Sequence, residues 1–470
     1  MVTVLVGGVV LLGLFTWFYM LEVEGDRHTI FLVLAVVFLV ESIIAGGGAN
    51  VPVGLLRPQF GGQDFRPPDV VIVAAMGAHL LAGRIGRIGP LSFAWFPFVL
   101  IYAGGAAIGV LMNQPIELIL FEGKALFYLA GGALIASGVD TERLMESIGR
   151  AGLVLAPVVP IAMAIRTAGL EFSVNTPVQR LTSLGALSND TITILTALGA
   201  VVIVAECMRH EPSYVRLGAG AVLLLAPLSG EQRASYLSLG AVIIALIVFV
   251  SGRTWGTRSR IQPAQLGLVA AGLVAVMLVG FLTTDSSGVV SLVDDAFGGV
   301  GNEQSAEART VLYADTIVEI RKHPIIGSGV GARVSSTVEA GDLTTSPHNL
   351  VLEVLLRVGV IGLAAFSIAV FVTWVISVRV WRWAPRAPTA AIGVGVVMVF
   401  AAVLAKAMVE PALSKFRLTL FLGMALGCLA VAERTVVSAV DRLRVGTAGP
   451  DTGGREIAAE ELPTTRRGTP

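Results

Sequence analysis

Residues 323–366 read HPIIGSGVGARVSSTVEAGDLTTSPHNLVLEVLLRVGVIGLAAF. A polar run punctuated by Gly327, Gly329 and Gly331 passes directly into an apolar stretch whose charges are Glu353 and Arg357 alone. From residue 349 the apolar character lasts to about residue 377, which is more than the roughly 20 residues a helix needs to cross a bilayer. A membrane helix fed by a long polar loop is therefore the unit to look for.

The composition extends that unit to the whole chain. Hydrophobic residues make up 55%, charged residues 14%, and the mean hydropathy is +0.81, against the roughly 45–50% apolar and 25% charged of soluble domains. Apolar runs of helix-spanning length recur near residues 2–20, 29–46, 69–83, 91–112, 117–139, 151–168, 190–206, 215–229, 234–252, 264–283, 349–377, 388–410 and 416–433. They are too long and too uniform for barrel strands. The expected fold is an all-α polytopic membrane helical bundle of about 12–13 transmembrane helices with a long, partly helical extracytoplasmic loop. The eighth run is short enough to be broken, and residues 47–68 either lie outside the membrane or dip into it. The first run lacks the basic flank and cleavage site of a signal peptide and is kept as a span.

The chain divides into residues 1–283 with the first ten spans, the loop 284–348, the last three spans at 349–433, and a tail at 434–470. Beyond residue 446 the tail's Gly, Thr, Pro and charge predict disorder. Formal net charge is zero, yet the arginines are unevenly shared. Arg84, Arg87, Arg143, Arg209, Arg258, Arg382 and their neighbours fall on the side opposite the long loop, as do the arginines of the tail. The positive-inside rule then puts the loop outside the cytoplasmic membrane and the C-terminus inside. Cys207 and Cys428, the only cysteines, suggest neither a disulfide framework nor a thiolate metal site.

Charges at membrane depth are costly, about 2.5–3.5 kcal/mol each on insertion scales. Glu41, Glu117, Glu122, Lys124, Arg166, Arg233, Glu353, Lys406 and Glu410 all fall towards the outer ends of their spans. Snorkelling accounts for single cases; together they suggest an outward polar cavity whose basic groups suit an anion. Within the loop, Ser305 to Lys322 reads as an amphipathic helix capped by Ser305, with Val311, Ala314 and Val318 on one face and Pro324 ending it. The three glycines allow a tight turn, with no preceding strand to make them a nucleotide fingerprint. Ser346 and Pro347 suit the cap and first position of the next helix, which puts His348 and Asn349 in its first turn. Asn349, Glu353 and Arg357 form a polar stripe in which Glu353 can pair with Arg357. His348 is a capping histidine or a general base of suitable pKa. His28, His79, His210 and His323 have weaker claims. No His, Asp or Cys cluster has convincing metal-ligand spacing, and no metal or other cofactor is expected.

The segment from Leu228 to Phe366 resembles the O-antigen ligase and polymerase family. The resemblance rests on the His-Pro before a Gly-x-Gly turn, the His-Asn-x-x-Leu of residues 348–352 and the Gly-x-x-Gly of the following helix. Ser229 to Ala234 is similar to the family's Ser-Arg-Gly turn, with Ser and Arg further apart and no Gly after Arg233. Arg309, four residues before Tyr313, resembles the arginine that opens the family's loop helix. The resemblance implies a metal-independent, inverting transferase that moves a glycan from undecaprenyl diphosphate to a hydroxyl of a glycan, lipid or protein acceptor outside the membrane. It implies His348 as the residue nearest the chemistry, supported by Glu353 and Asn349, and Arg233 and Arg309 on the diphosphate; Arg166 and Lys124 of the outward charges, and Asn349 at the helix start, are further candidates for holding that diphosphate. Membrane lipids are expected partners and nucleic acid is not. A transporter or flippase of lipid-linked glycans is the rival reading; it would call for midplane charge open to both sides and an internal repeat, and neither is visible.

Overall fold

The computed structural model describes residues 2–46, 59–60, 63–64, 67–83, 89–167, 187–209, 211–229, 233–251, 303–334, 347, 349–410 and 415–447. Its helices are α1 Val2–Glu24, α2 Arg27–Gly46, α3 Pro67–Leu81, α4 Pro90–Leu111, α5 Ile116–Ala136, α6 Thr141–Leu155, α7 Val158–Thr167, α8 Asn189–Cys207, α9 Tyr214–Leu224, α10 Arg233–Ser251, α11 Glu303–Lys322, α12 Leu350–Trp383, α13 Ala387–Ala407 and α14 Phe416–Thr447. The only pairing of strands among the described residues is the short hairpin of Gln59–Phe60 with Gln63–Asp64. Seven stretches among these residues are long and apolar enough to cross a membrane. The protein is an all-α polytopic membrane bundle, and the span expected at 264–283 lies outside the described residues.

Several boundaries differ from the hydropathy reading: α12 runs on to Trp383, and α14 continues to Thr447, so the tail expected from residue 434 begins as helix. The run at 151–168 is the second part of a longer element that begins at Thr141, where Asp140 caps α6 by accepting from the amides of Glu142 and Arg143 at 2.9 and 3.0 Å. The element breaks before Val158 and resumes as α7. Glu142, Arg143, Glu146 and Arg150 depress the hydropathy of its first turns. Two of these charges are paired across the bundle end, Glu146 with Arg209 at 2.8 Å and Arg216 at 2.6 Å, and Glu142 with Arg386 at 2.6 Å. α11 starts at Glu303, two residues before the expected cap at Ser305, because Glu303 and Gln304 are themselves good helix formers and an acidic residue suits a helix N-terminus.

α8 and α13 form the interior of the bundle. α5 and α14 meet along small residues: a Cβ on Gly423 would stand 2.2 Å from the Leu129 carbonyl oxygen, and one on Gly427 would stand 2.3 Å from that of Ala133. Close backbone approach of this kind maximises van der Waals contact, the main attraction left between helices already in an apolar solvent.

Candidate active site

The glycine-rich turn after α11 is built into the bundle and does not stand above it. Gly327, Gly329 and Gly331 have φ of 75°, 86° and 84°, the left-handed region that only glycine adopts without strain. The turn meets α12 at a break. Gly359 has φ 64° and ψ −165°, and around it the hydrogen bonds are exchanged between the two segments. The Val360 amide donates to the Pro324 carbonyl at 2.9 Å and that of Ile361 to Ile325 at 3.3 Å. The Leu356 carbonyl, which Val360 would occupy in an unbroken helix, accepts instead from Ser328 at 2.8 Å. Val330 donates to Gly105 of α4 at 2.9 Å. Irregular backbone at membrane depth is tolerated only where protein supplies its partners, and here each segment supplies the other's.

Beneath this joint lies a buried charge cluster. Arg357, wholly buried, donates to Glu122 of α5 and, at 2.5 Å, to the Ala332 carbonyl. Glu122 also accepts from the Gly331 amide at 2.9 Å, so one carboxylate holds both the turn and the arginine. Glu353, also wholly buried, stands one helical turn before Arg357 on α12. Of the stripe expected from spacing, Glu353 and Arg357 are buried together, but Arg357 pairs with Glu122 of α5 and not with Glu353.

The start of α12 is anchored separately. Its N-cap is Asn349, whose side-chain oxygen accepts from Val351 and Leu352 at 2.9 and 3.2 Å. This corrects the expectation that Ser346 caps and Asn349 lies within the first turn. Asn is as good a cap as Ser, and the Asn349 amide gains a further bond to the Met408 carbonyl at 3.1 Å. Met408 follows Lys406, whose ammonium is 2.6 Å from Asp190 and 3.4 Å from Glu410. Asn189 donates to Glu410 at 2.7 Å, and Arg417 makes two 3.1 Å bonds to Glu41. Phe416 extends the patch: the Arg417 guanidinium and the Lys124 ammonium lie 5.1 and 5.9 Å from its ring centre. Lys124 is held by Asp69 at 2.6 Å, and the Tyr128 hydroxyl donates to the other Asp69 oxygen.

Of the charges expected to share one level, Glu41, Lys124, Lys406 and Glu410 thus enter one network, while Glu122 and Glu353 belong to the cluster under the glycine turn. Asp69, Asp190 and Arg417 were missed as partners because each stands at the end of its span and reads as a loop charge; the signal was the need of buried Lys406 and of Lys124 for carboxylates. Arg166, Arg233 and Arg309 fall at the end of α7, the start of α10 and within α11. Ser238 donates to the Ala402 carbonyl at 2.9 Å, which sets the start of α10 towards the Lys406 end of α13. His348 lies outside the described residues, directly before the Asn349 cap.

The glycine turn, the break in α12 and the Asn349 cap fall within residues 218–367, which match the family model described as O-antigen ligase. Over these residues the chain is similar to the O-antigen ligase family. A curated O-antigen ligase of Pseudomonas aeruginosa is 27% identical over 208 residues, an alignment that covers 39% of this chain and 51% of the relative. The chain thus spans about half the length of the O-antigen ligase it matches. The family segment contains Arg233, Arg309, His348, Asn349, Glu353 and Arg357. Glu122, Lys124, Asp190, Lys406 and Arg417 lie outside it.

Proposed function

We propose that the protein is a membrane glycan transferase of the O-antigen ligase type. It moves a glycan from undecaprenyl diphosphate to a hydroxyl of a lipid, protein or growing polysaccharide, on the outer side of the cytoplasmic membrane. The observation that carries this reading is a coincidence: the residues that match the family are those in which α11 and α12 are locked together through the glycine turn.

In this reading His348 adjoins the Asn349-capped start of α12, whose positive dipole end favours a diphosphate. Its imidazole takes the proton of the acceptor hydroxyl as that oxygen attacks the anomeric carbon. The new C–O bond forms as the bond to the diphosphate breaks, and the diphosphate leaves with the electron pair. One displacement inverts the anomeric centre. Arg309 and Arg233, with Arg166, offset the charge that develops, because guanidinium presents a fixed fork of donors and keeps its charge. Asn349 and Glu353 position this end of α12. Lys124 supplies a further cation once it turns from Asp69 to the donor. The reaction calls on neither metal nor nucleotide.

The test is transfer from a purified lipid-linked glycan by His348→Ala and Arg309→Ala proteins that insert normally. Loss of transfer in both supports the assignment; wild-type rates in both sink it. A chain that carries the same donor across vesicles without joining it to any acceptor is a flippase, and that result overturns the transferase reading as a whole.

A further inference from the structure

α11 packs inward on one face and leaves an apolar face exposed. Leu312, Thr316 and Ile320 turn inward, Leu312 and Ile320 against Ala332, Val334 and Leu356. On the other side Val311, Ile317 and Val318 are 48%, 41% and 54% exposed. The apolar surface continues past the helix end into Ile325 and Ile326, exposed by 62% and 48%. Next to these stand Val360 and Ile361 of α12, and the two pairs are fixed side by side by the backbone bonds from Val360 to Pro324 and from Ile361 to Ile325.

That continuity identifies what covers the surface. α12 is a membrane-spanning helix, and its outward residues, Val360, Ile361, Ile368 and Phe371 among them, are the side it turns to lipid. Gly359 lies nine residues past the start of α12, about 14 Å along the axis at the usual helical rise. Ile325 and Ile326 stand beside Val360 and Ile361 at this point of the helix. Arg321 and Lys322 are exposed between the apolar face of α11 and this turn, where long cationic stems reach phosphate while their neighbours stay in hydrocarbon.

We propose that α11 is an interfacial helix. Its Val311–Val318 face and the Ile325–Ile326 turn are immersed in the edge of the phospholipid bilayer, and Arg321 and Lys322 lie at headgroup level. The proposal is independent of the transferase reading. It places α11 and the turn after it on the membrane surface and not in the water above it.

The experiment uses full-length Val318→Cys and Ile326→Cys proteins, labelled with bimane and placed in nanodiscs of phosphatidylcholine and phosphatidylglycerol. Cys207 and Cys428 are buried, and labelled wild-type protein sets the blank. Glu211→Cys, in the exposed loop between α8 and α9, is the water-facing control. Lipids that carry a nitroxide high on the acyl chain are expected to quench the labels at 318 and 326 by about twofold or more, as for residues a few ångströms into the interface, while iodide quenches only the label at 211. Ile317→Cys repeats the test if either variant inserts poorly. Iodide quenching at 318 and 326 equal to that at 211 would overturn the proposal. Protection of both positions from both quenchers would overturn it too, since protein would then cover this face.

Discussion

The Ser328 amide and the Leu356 carbonyl, 2.8 Å apart, are joined because Gly359 interrupts α12 and leaves that carbonyl without its helical partner. A loop and a membrane helix thereby complete each other's backbone hydrogen bonds. The joint depends on Gly359, where a Cβ would stand 2.2 Å from the Ile325 carbonyl oxygen. Gly359→Ala is expected to lose more than the roughly 1–3 kcal/mol that an unfavourable backbone conformation alone costs. A lowered thermal midpoint in detergent, with transfer lost at temperatures where the fold survives, checks this. An unchanged midpoint would mean that the joint is not strained by a side chain there.

Glu122 and Arg357 are 235 residues apart in sequence and both buried. Removal of one member of a buried pair leaves the other uncompensated, at about 3–5 kcal/mol, whereas an apolar replacement of both is often close to neutral. Arg357→Met and Glu122→Leu are each expected to destabilise strongly, and the double variant to recover much of the loss in a double-mutant cycle followed by circular dichroism. Additive effects would show that the two side chains are not coupled.

Those two residues also mark where sequence reading reaches its end. The spans were legible because apolar runs of helical length have few alternatives in a chain of this composition, and the glycine turn because three positive-φ positions demand that residue. That Glu353 and Arg357 share a face of α12 was legible from spacing alone. Its carboxylate partner on α5 was not, because a pattern along one helix carries no information about which other helix faces it. The start of α6 was hidden by charges whose partners stand on other elements. The Asn349 cap was displaced from Ser346 by a contact to Met408 that only the fold supplies.

Asn349 itself gives a local prediction. Asn349→Ala removes the cap of α12 and the bond to Met408, at about 1 kcal/mol for the cap. Asn349→Asp keeps the cap and loses the bond. Hydrogen exchange at the amides of Val351 and Leu352 should accelerate in the first variant and stay near wild type in the second. Equal exchange in both would assign the order of this end to Met408 and not to capping.

Lys124 separates a structural cation from a substrate-binding one. Its side chain is 22% exposed and 2.6 Å from Asp69, while the other Asp69 oxygen is held by Tyr128. Asp69 therefore keeps a donor when Lys124 leaves, and the flexible lysine stem is free to swing to an arriving diphosphate. If it does so in the Michaelis complex and the transition state alike, Lys124→Gln removes uniform binding, which raises KM for the lipid-linked donor and leaves kcat in place. A rise of about tenfold corresponds to one exposed ionic contact of roughly 1.4 kcal/mol. Lys124→Arg should preserve most of the affinity, since the charge is retained. Unchanged KM together with a lowered thermal midpoint would instead show that Lys124 serves Asp69 and the packing of α5 against α3, and would remove it from the donor site.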